Sequence, residues 1–155
     1  QNPEYGLIGP KLVYPNGEIQ KSVRKLPTIW GAIKEYIFGI RGEYDFYIPN
    51  CNDLCEVECV TGACMVVSKE VFEKVARWDE KYFLYFEDIQ LCSDIRKLGL
   101  KVGYAADIVI EHQVGVSGKN QNTKEPSLQS SRIYLGTLKF ILIEFIGRLG
   151  NKFRV

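Results

Sequence analysis

The stretch between Thr61 and Gly99 constrains this chain most, because it alternates strand and helix signals and places two acids where a helix begins. Gly62-Ala63 permits close backbone approach, and the run Cys64-Met65-Val66-Val67 reads as a strand ending at Ser68, a good helix N-cap. A short helix is expected from residue 69 to about 76. After a turn at Asp79-Glu80 come four aromatics, Tyr82, Phe83, Tyr85 and Phe86, and then a helix from 87 to about 98, closed by Gly99.

On a helical wheel, Leu91, Cys92, Ile95 and Leu98 share one face, opposite Gln90, Ser93, Asp94 and Lys97. Asp88 falls on the apolar side. A carboxylate facing inward at a helix N-terminus ionises more easily, since unpaired amides and the helix dipole favour negative charge. That suits a general base. The alternative is that Asp88 or Glu87 only caps the helix.

Residues 7 to 14 read as a strand, Pro15-Asn16-Gly17 as a tight turn, and 18 to 22 as a second extended piece, together a small hairpin. Pro27-Thr28 starts an amphipathic helix to about 38, and residues 40 to 55 look irregular apart from a short segment at 45 to 48. Strands are expected at 101 to 104 and 108 to 111, separated by a turn at Ala105-Ala106-Asp107. The fold class is therefore α/β, a mixed sheet flanked by helices. Residues 115 to 131 are polar and read as a mobile loop, either closing over a ligand or linking to the last helix. Residues 131 to 149 read as a helix apolar nearly all round, which needs cover: the sheet, a second copy, or a bilayer interface beside Lys152 and Arg154.

With 46% hydrophobic and 25% charged residues among 155, the composition suits one core, and a net charge of +1 excludes an electrostatic polyanion binder, so no nucleic-acid partner is expected. The apolar run Phe140-Ile141-Leu142-Ile143 is bounded by Lys139 and Glu144, too short for a membrane span, and no signal peptide is visible. A cytoplasmic location is the default. Cys51, Cys55 and Cys59 lack the short pairs of zinc sites, and Cys64 and Cys92 fall on apolar faces, so all five cysteines are expected reduced and unliganded.

In order along the chain stand Gly6-Leu7-Ile8-Gly9-Pro10-Lys11-Leu12, Tyr14-Pro15-Asn16-Gly17-Glu18-Ile19-Gln20, Gly62-Ala63-Cys64-Met65, Phe83-Leu84-Tyr85-Phe86-Glu87-Asp88 and Val109-Ile110-Glu111-His112. This series resembles the second half of the inverting, family 2 type glycosyltransferases of the GT-A fold, rhamnosyltransferases of bacterial polysaccharide synthesis among them, over residues 6 to 117. The resemblance implies a partial GT-A domain. Residues 1–117 would form its acceptor and catalytic-base half, 118–130 a mobile loop, and 131–155 a C-terminal helix and tail. Asp88 would be the catalytic base with Glu87 beside it, and Gly62, Ala63 and Cys64 would line the acceptor and sugar. His112 would help hold a divalent cation, magnesium or manganese, whose main ligands are expected upstream.

The implied reaction moves a sugar from a nucleotide-sugar donor to a saccharide or lipid-linked saccharide hydroxyl, in cell-surface polysaccharide synthesis. A positioned carboxylate would take the hydroxyl proton, and a cation would stabilise the departing diphosphate. The irregular stretch at 40 to 55 could shape acceptor choice. The family's Asp-x-Asp is absent, since Glu56-Val57-Glu58 lies in the wrong place in the motif order and reads as a solvated strand face. The chain also opens Gln1-Asn2-Pro3 without Met, so it is expected to be a fragment, inactive alone. Cys59 stands where the family commonly has Trp, Gln90 where it usually has Asp, and Trp78 where Phe is more usual. The alternative function is a non-catalytic carbohydrate-binding or assembly domain acting through the apolar residues 131–149. That segment could also make a homo-oligomer contact or a peripheral contact at the inner face of the membrane.

Overall fold

The structure, a computed structural model, describes residues 2–114 and 124–153, with the side chains of 124, 125 and 151–153 outside the description. Two long strands, β1 (Tyr5–Val13) and β6 (Lys101–Glu111), run parallel at the centre of a four-stranded sheet. Each is paired on its other side by an antiparallel strand. β3 (Leu54–Val57) pairs with β6 and the two-residue β5 (Val66–Val67) pairs with β1, giving the order β3-β6-β1-β5. A second small sheet pairs β2 (Val23–Arg24) with β4 (Cys59–Val60). The sheet is mixed, as the sequence predicts.

Ser68 caps α2 (Lys69–Lys74), its hydroxyl accepting from Val71 N at 3.2 Å. α3 (Glu87–Lys97) then buries Ile89, Leu91, Cys92 and Ile95 against Leu7, Val60, Val102 and Tyr104. Each fully buried aliphatic side chain contributes about 1.5–3 kcal/mol. Close approach of α3 to β1 depends on Gly6, where a Cβ would sit 2.6 Å from Ile95 Cγ2. Leu98, expected on the same face, is half exposed because the helix ends there and Gly99 turns away at φ 80°.

Several expectations need correction. The second arm of the hairpin, 18 to 22, makes only a single bridge, Val13 to Ile19, and the chain then leaves to form β2 in the other sheet. The strand β3 begins at Leu54 and Cys55, inside the stretch read as irregular, and runs on into Glu56 and Val57, which the sequence already reads as a strand face. No turn divides 101 to 111. β6 is continuous, and its pairing jumps from Pro10–Ala105 to Lys11–Val109, so residues 106 to 108 form a bulge. Trp78, where Phe is more usual, is half exposed and packs edge-on to Phe72. Glu56 is exposed beside Arg96 and Lys101, as a solvated face requires, but Glu58 turns in and accepts from Leu26 N at 2.8 Å.

Thr28 caps α1 (Ile29–Tyr36), accepting from Gly31 N at 2.9 Å. The C-terminal region is two helices, α4 (Lys124–Leu135) and α5 (Thr137–Phe153), broken at Gly136 with φ 74°. α4 begins within the stretch read as a loop up to 130: Pro126 falls in its first turn, where the missing N–H costs no helix bond, and Ser130 Oγ anchors it by donating to Leu84 O at 2.8 Å. Residues 115–123 of that loop lie outside the described residues, as do the side chains of Lys152 and Arg154. Phe140, Ile143 and Ile146 of α5 pack on Ala32 of α1, not on the sheet. The opposite face stays open, with Leu138 85% and Phe145 57% exposed. Among the described residues no helix is long and apolar enough to cross a membrane.

The five cysteines are not all reduced. Cys51, in the loop that leads into β3, and Cys55, in β3 itself, form a disulfide with their Cα atoms 6.4 Å apart. Cys59 and Cys92 are free and fully buried, and the hydrogen bond with Cys92, followed by burial, holds the Cys59 thiol well above its ordinary pKa. Cys64 is free and half-buried.

Candidate functional site

A cleft of about 410 Å³ opens where β1, β2, β6 and the start of α3 converge, lined among others by Asp88, His112, Arg24, Gln20, Thr61 and Phe86. Three features of local chain geometry deliver these side chains. The turn before α3 has two consecutive non-glycine residues in the left-handed region, Tyr85 at φ 65° and Phe86 at φ 71°. Such conformations cost on the order of 1–3 kcal/mol each and persist where surrounding packing holds them. Phe86 is held by the Tyr134 ring at 5.6 Å, and Tyr82 beneath the turn donates its hydroxyl to Gln90 Oε1 at 3.1 Å.

That turn aims Asp88 at the strand end. Asp88 Oδ2 accepts from Gly62 N at 2.9 Å and Oδ1 from Ile89 N at 2.8 Å. Neither Asp88 nor Glu87 is the helix cap; Phe86 occupies that position without a side-chain bond. Contrary to the easier ionisation expected at a helix N-terminus, burial is the larger influence on the Asp88 carboxyl and raises its pKa, while the two amides and the Arg24 charge pull it only partly back. Glu87 is also raised, again by burial, and its Oε2 is buried without a hydrogen-bond partner.

Arg24 was not signalled by any motif; only a basic residue in an otherwise apolar strand marks it. Its Nη2 donates to Tyr44 O at 3.0 Å, and its guanidinium lies over the rings of Phe46 at 4.9 Å and Tyr44 at 5.5 Å. Its Nε is buried with no partner. His112 follows directly on β6, its N–H donating to Val13 O at 2.9 Å. The Gln20 side chain spans the gap, with Nε2 donating to Val13 O at 3.1 Å and to His112 O, and Oε1 3.0 Å from His112 Nδ1.

The structure thus brings Asp88 and His112 to one cleft, with Glu87 next to Asp88 in the first turn of α3 and Gly62 bonded to Asp88. Ala63 is exposed on the turn that follows, and Cys64 is half-buried there. Gln90, one of the departures from the family pattern, links Tyr82 to Asp94, donating to Asp94 Oδ2 at 2.7 Å. Among the described residues no group of three or more His, Cys, Asp or Glu side chains could hold a metal ion.

Comparison with known proteins shows the family. The family model for glycosyltransferase like family 2 matches residues 43–132, more than half of the chain, and takes in both Asp88 and His112. The chain belongs to this family. As a family 2 chain it is 27% identical over 128 residues to the N-acetylglucosaminyl-diphospho-decaprenol L-rhamnosyltransferase of Mycobacterium tuberculosis, covering 76% of this chain and 41% of that protein. It is 24% identical over 147 residues to the low-salt glycan biosynthesis hexosyltransferase Agl10 of Haloferax volcanii, covering 87% and 40%. It is also 31% identical over 87 residues to the rhamnosyltransferase WbbL of Escherichia coli, covering 54% and 31%. The family 2 chain therefore spans about two fifths or less of these relatives. No solved structure matches it.

Proposed function

We propose that this chain is the acceptor and catalytic-base half of an inverting glycosyltransferase. The protein that contains it would move a hexose or deoxyhexose from a nucleotide-sugar to a saccharide or lipid-linked saccharide hydroxyl, in cell-surface polysaccharide synthesis. One observation carries the reading: a carboxylate fixed by two backbone amides in an open cleft, in a family 2 chain whose relatives include rhamnosyltransferases. The amides hold Asp88 in place and burial makes it a better proton acceptor than a solvated aspartate, which is what attack by a neutral hydroxyl needs.

The hydroxyl oxygen attacks the anomeric carbon from the face opposite the diphosphate, its proton passes to Asp88, and the nucleoside diphosphate leaves. Arg24, set over two rings and with no carboxylate bonded to it among the described residues, supplies positive potential to this cleft. His112 fits a divalent cation as one ligand, since one ring nitrogen is bonded to Gln20 and the other remains. The other ligands would come from the donor-binding region. When bound, magnesium or manganese would neutralise charge on the leaving diphosphate.

The open apolar face of α5 favours a second role, contact with a partner copy or a lipid interface beside a lipid-linked acceptor. The experiment is transfer from radiolabelled nucleotide-sugars, with and without manganese or magnesium, by a protein carrying this chain together with a donor-binding region. Transfer that survives Asp88→Asn undiminished rejects the base assignment, and transfer indifferent to chelation rejects the cation.

A further inference from the structure

We infer that Gln20 is a positioning residue that fixes the tautomer of His112, placing the ring proton on Nδ1 and leaving the Nε2 lone pair bare. The argument starts from the amide of Gln20. An amide has one donor end and one acceptor end, and near the ends of β1 and β6 two carbonyl oxygens, Val13 O and His112 O, both face its nitrogen. Carbonyls only accept. The reverse orientation would set the amide oxygen against both of them, so the nitrogen end is committed to the backbone.

The oxygen end is then committed to the imidazole. Gln20 Oε1 lies 3.0 Å from His112 Nδ1 and can only accept, so Nδ1 must donate. A neutral ring with its proton on Nδ1 has none on Nε2. Gln20 is buried, 5% exposed, so water does not compete easily for these bonds. One side chain thereby joins the ends of two parallel strands and sets the electronic state of a residue lining the cleft. Imidazole ligands in metal sites are commonly oriented through the other ring nitrogen in this way.

The use of the bare lone pair rests on the reading of His112 as a cation ligand, but the tautomer does not. This chain has one histidine, so imidazole-15N labelling gives a single ring to observe. Long-range 15N–1H correlation spectra, recorded without metal at a pH where the ring is neutral, should show a protonated Nδ1 and an unprotonated Nε2. In Gln20→Leu, which removes both ends of the bridge, the ring should lose that preference and shift toward the Nε2–H form that free imidazole side chains favour in water. An Nε2–H ring in the wild-type chain overturns the inference, as does an unchanged Nδ1–H ring in a folded Gln20→Leu. The wild-type spectrum decides even if the variant does not fold. A failed cation reading would leave the Nδ1–H signature in place, so the two failures are distinguishable.

Discussion

Gly62 N and Asp88 Oδ2 meet at 2.9 Å across 26 residues of sequence, tying the turn after β4 to the first turn of α3. The bond fixes one oxygen of the carboxylate by a main-chain donor, so the orientation of the proposed base does not depend on a flexible partner.

Asp88→Asn should lower kcat/KM for sugar transfer by about 10²- to 10⁴-fold, the usual contribution of a positioned general base. The amide oxygen of Asn can still accept from Gly62 N, so the circular dichroism spectrum should be retained. Steady-state kinetics on a protein with a donor-binding region measures the first, and spectroscopy on the variant controls for the second.

Stability should depend on pH at Asp88 with a definite sign. Its folded pKa lies above the unfolded value of about 3.9, so the native state holds the proton more tightly than the unfolded chain does. Its contribution is intact below that unfolded value and is lost as pH rises through the raised folded value. Asp88→Asn cannot ionise, so its stability relative to wild type should climb across that window and stay flat below it. Urea titrations of both proteins over a pH series read this out. On the activity side, the acidic limb of kcat/KM should rise at a pH above that of an ordinary carboxylate.

Gly6→Ala should destabilise by about 1–3 kcal/mol, the range for overpacking a filled core. The new methyl would meet Ile95 Cγ2 at 2.6 Å, and Ile95 is β-branched and fully buried, so it cannot swing clear. The midpoint in urea would fall. An unchanged midpoint would mean that α3 can slide away from β1.

Replacing both Cys51 and Cys55 by Ser should cost no more than about 2 kcal/mol, because chain-entropy arguments give little to so short a loop, with a separation of 4 residues. Thermal melts with and without reductant should differ for the wild type and coincide for the double variant. Equal melts for the wild type would show that the bridge does not add stability.

Much of the frame was legible in the sequence because it rests on local signals. Ser68 and Thr28 are caps by residue type, Gly99 is a helix stop, and the apolar face at Leu91, Cys92 and Ile95 follows from spacing. The start of the edge strand β3 at Leu54 and Cys55 was not legible, because it is decided by pairing with Ala105 and Tyr104, far along the chain, and not by its own alternation. The bulge at 106 to 108 hid behind a turn signal, since both require a local departure from the ladder. At the site, Asp88 and His112 stood out through ordered motifs. Arg24 lay outside those motifs, and Gln20 stood in one without a role attached, because a polar residue gains its meaning from what the fold sets beside it.

The two left-handed residues before α3 also bear on how this cleft would fail. Tyr85 and Phe86 hold conformational strain that is released as soon as the Tyr134 contact and the α3 packing loosen, and Tyr85 is itself 46% exposed. A segment under such load opens at a lower free energy than the sheet behind it. Mild denaturant or warming would therefore misalign Asp88 while the sheet stayed folded, so inactivation would precede unfolding, and packing around Phe86 would set the working temperature of the proposed enzyme more than the stability of its core.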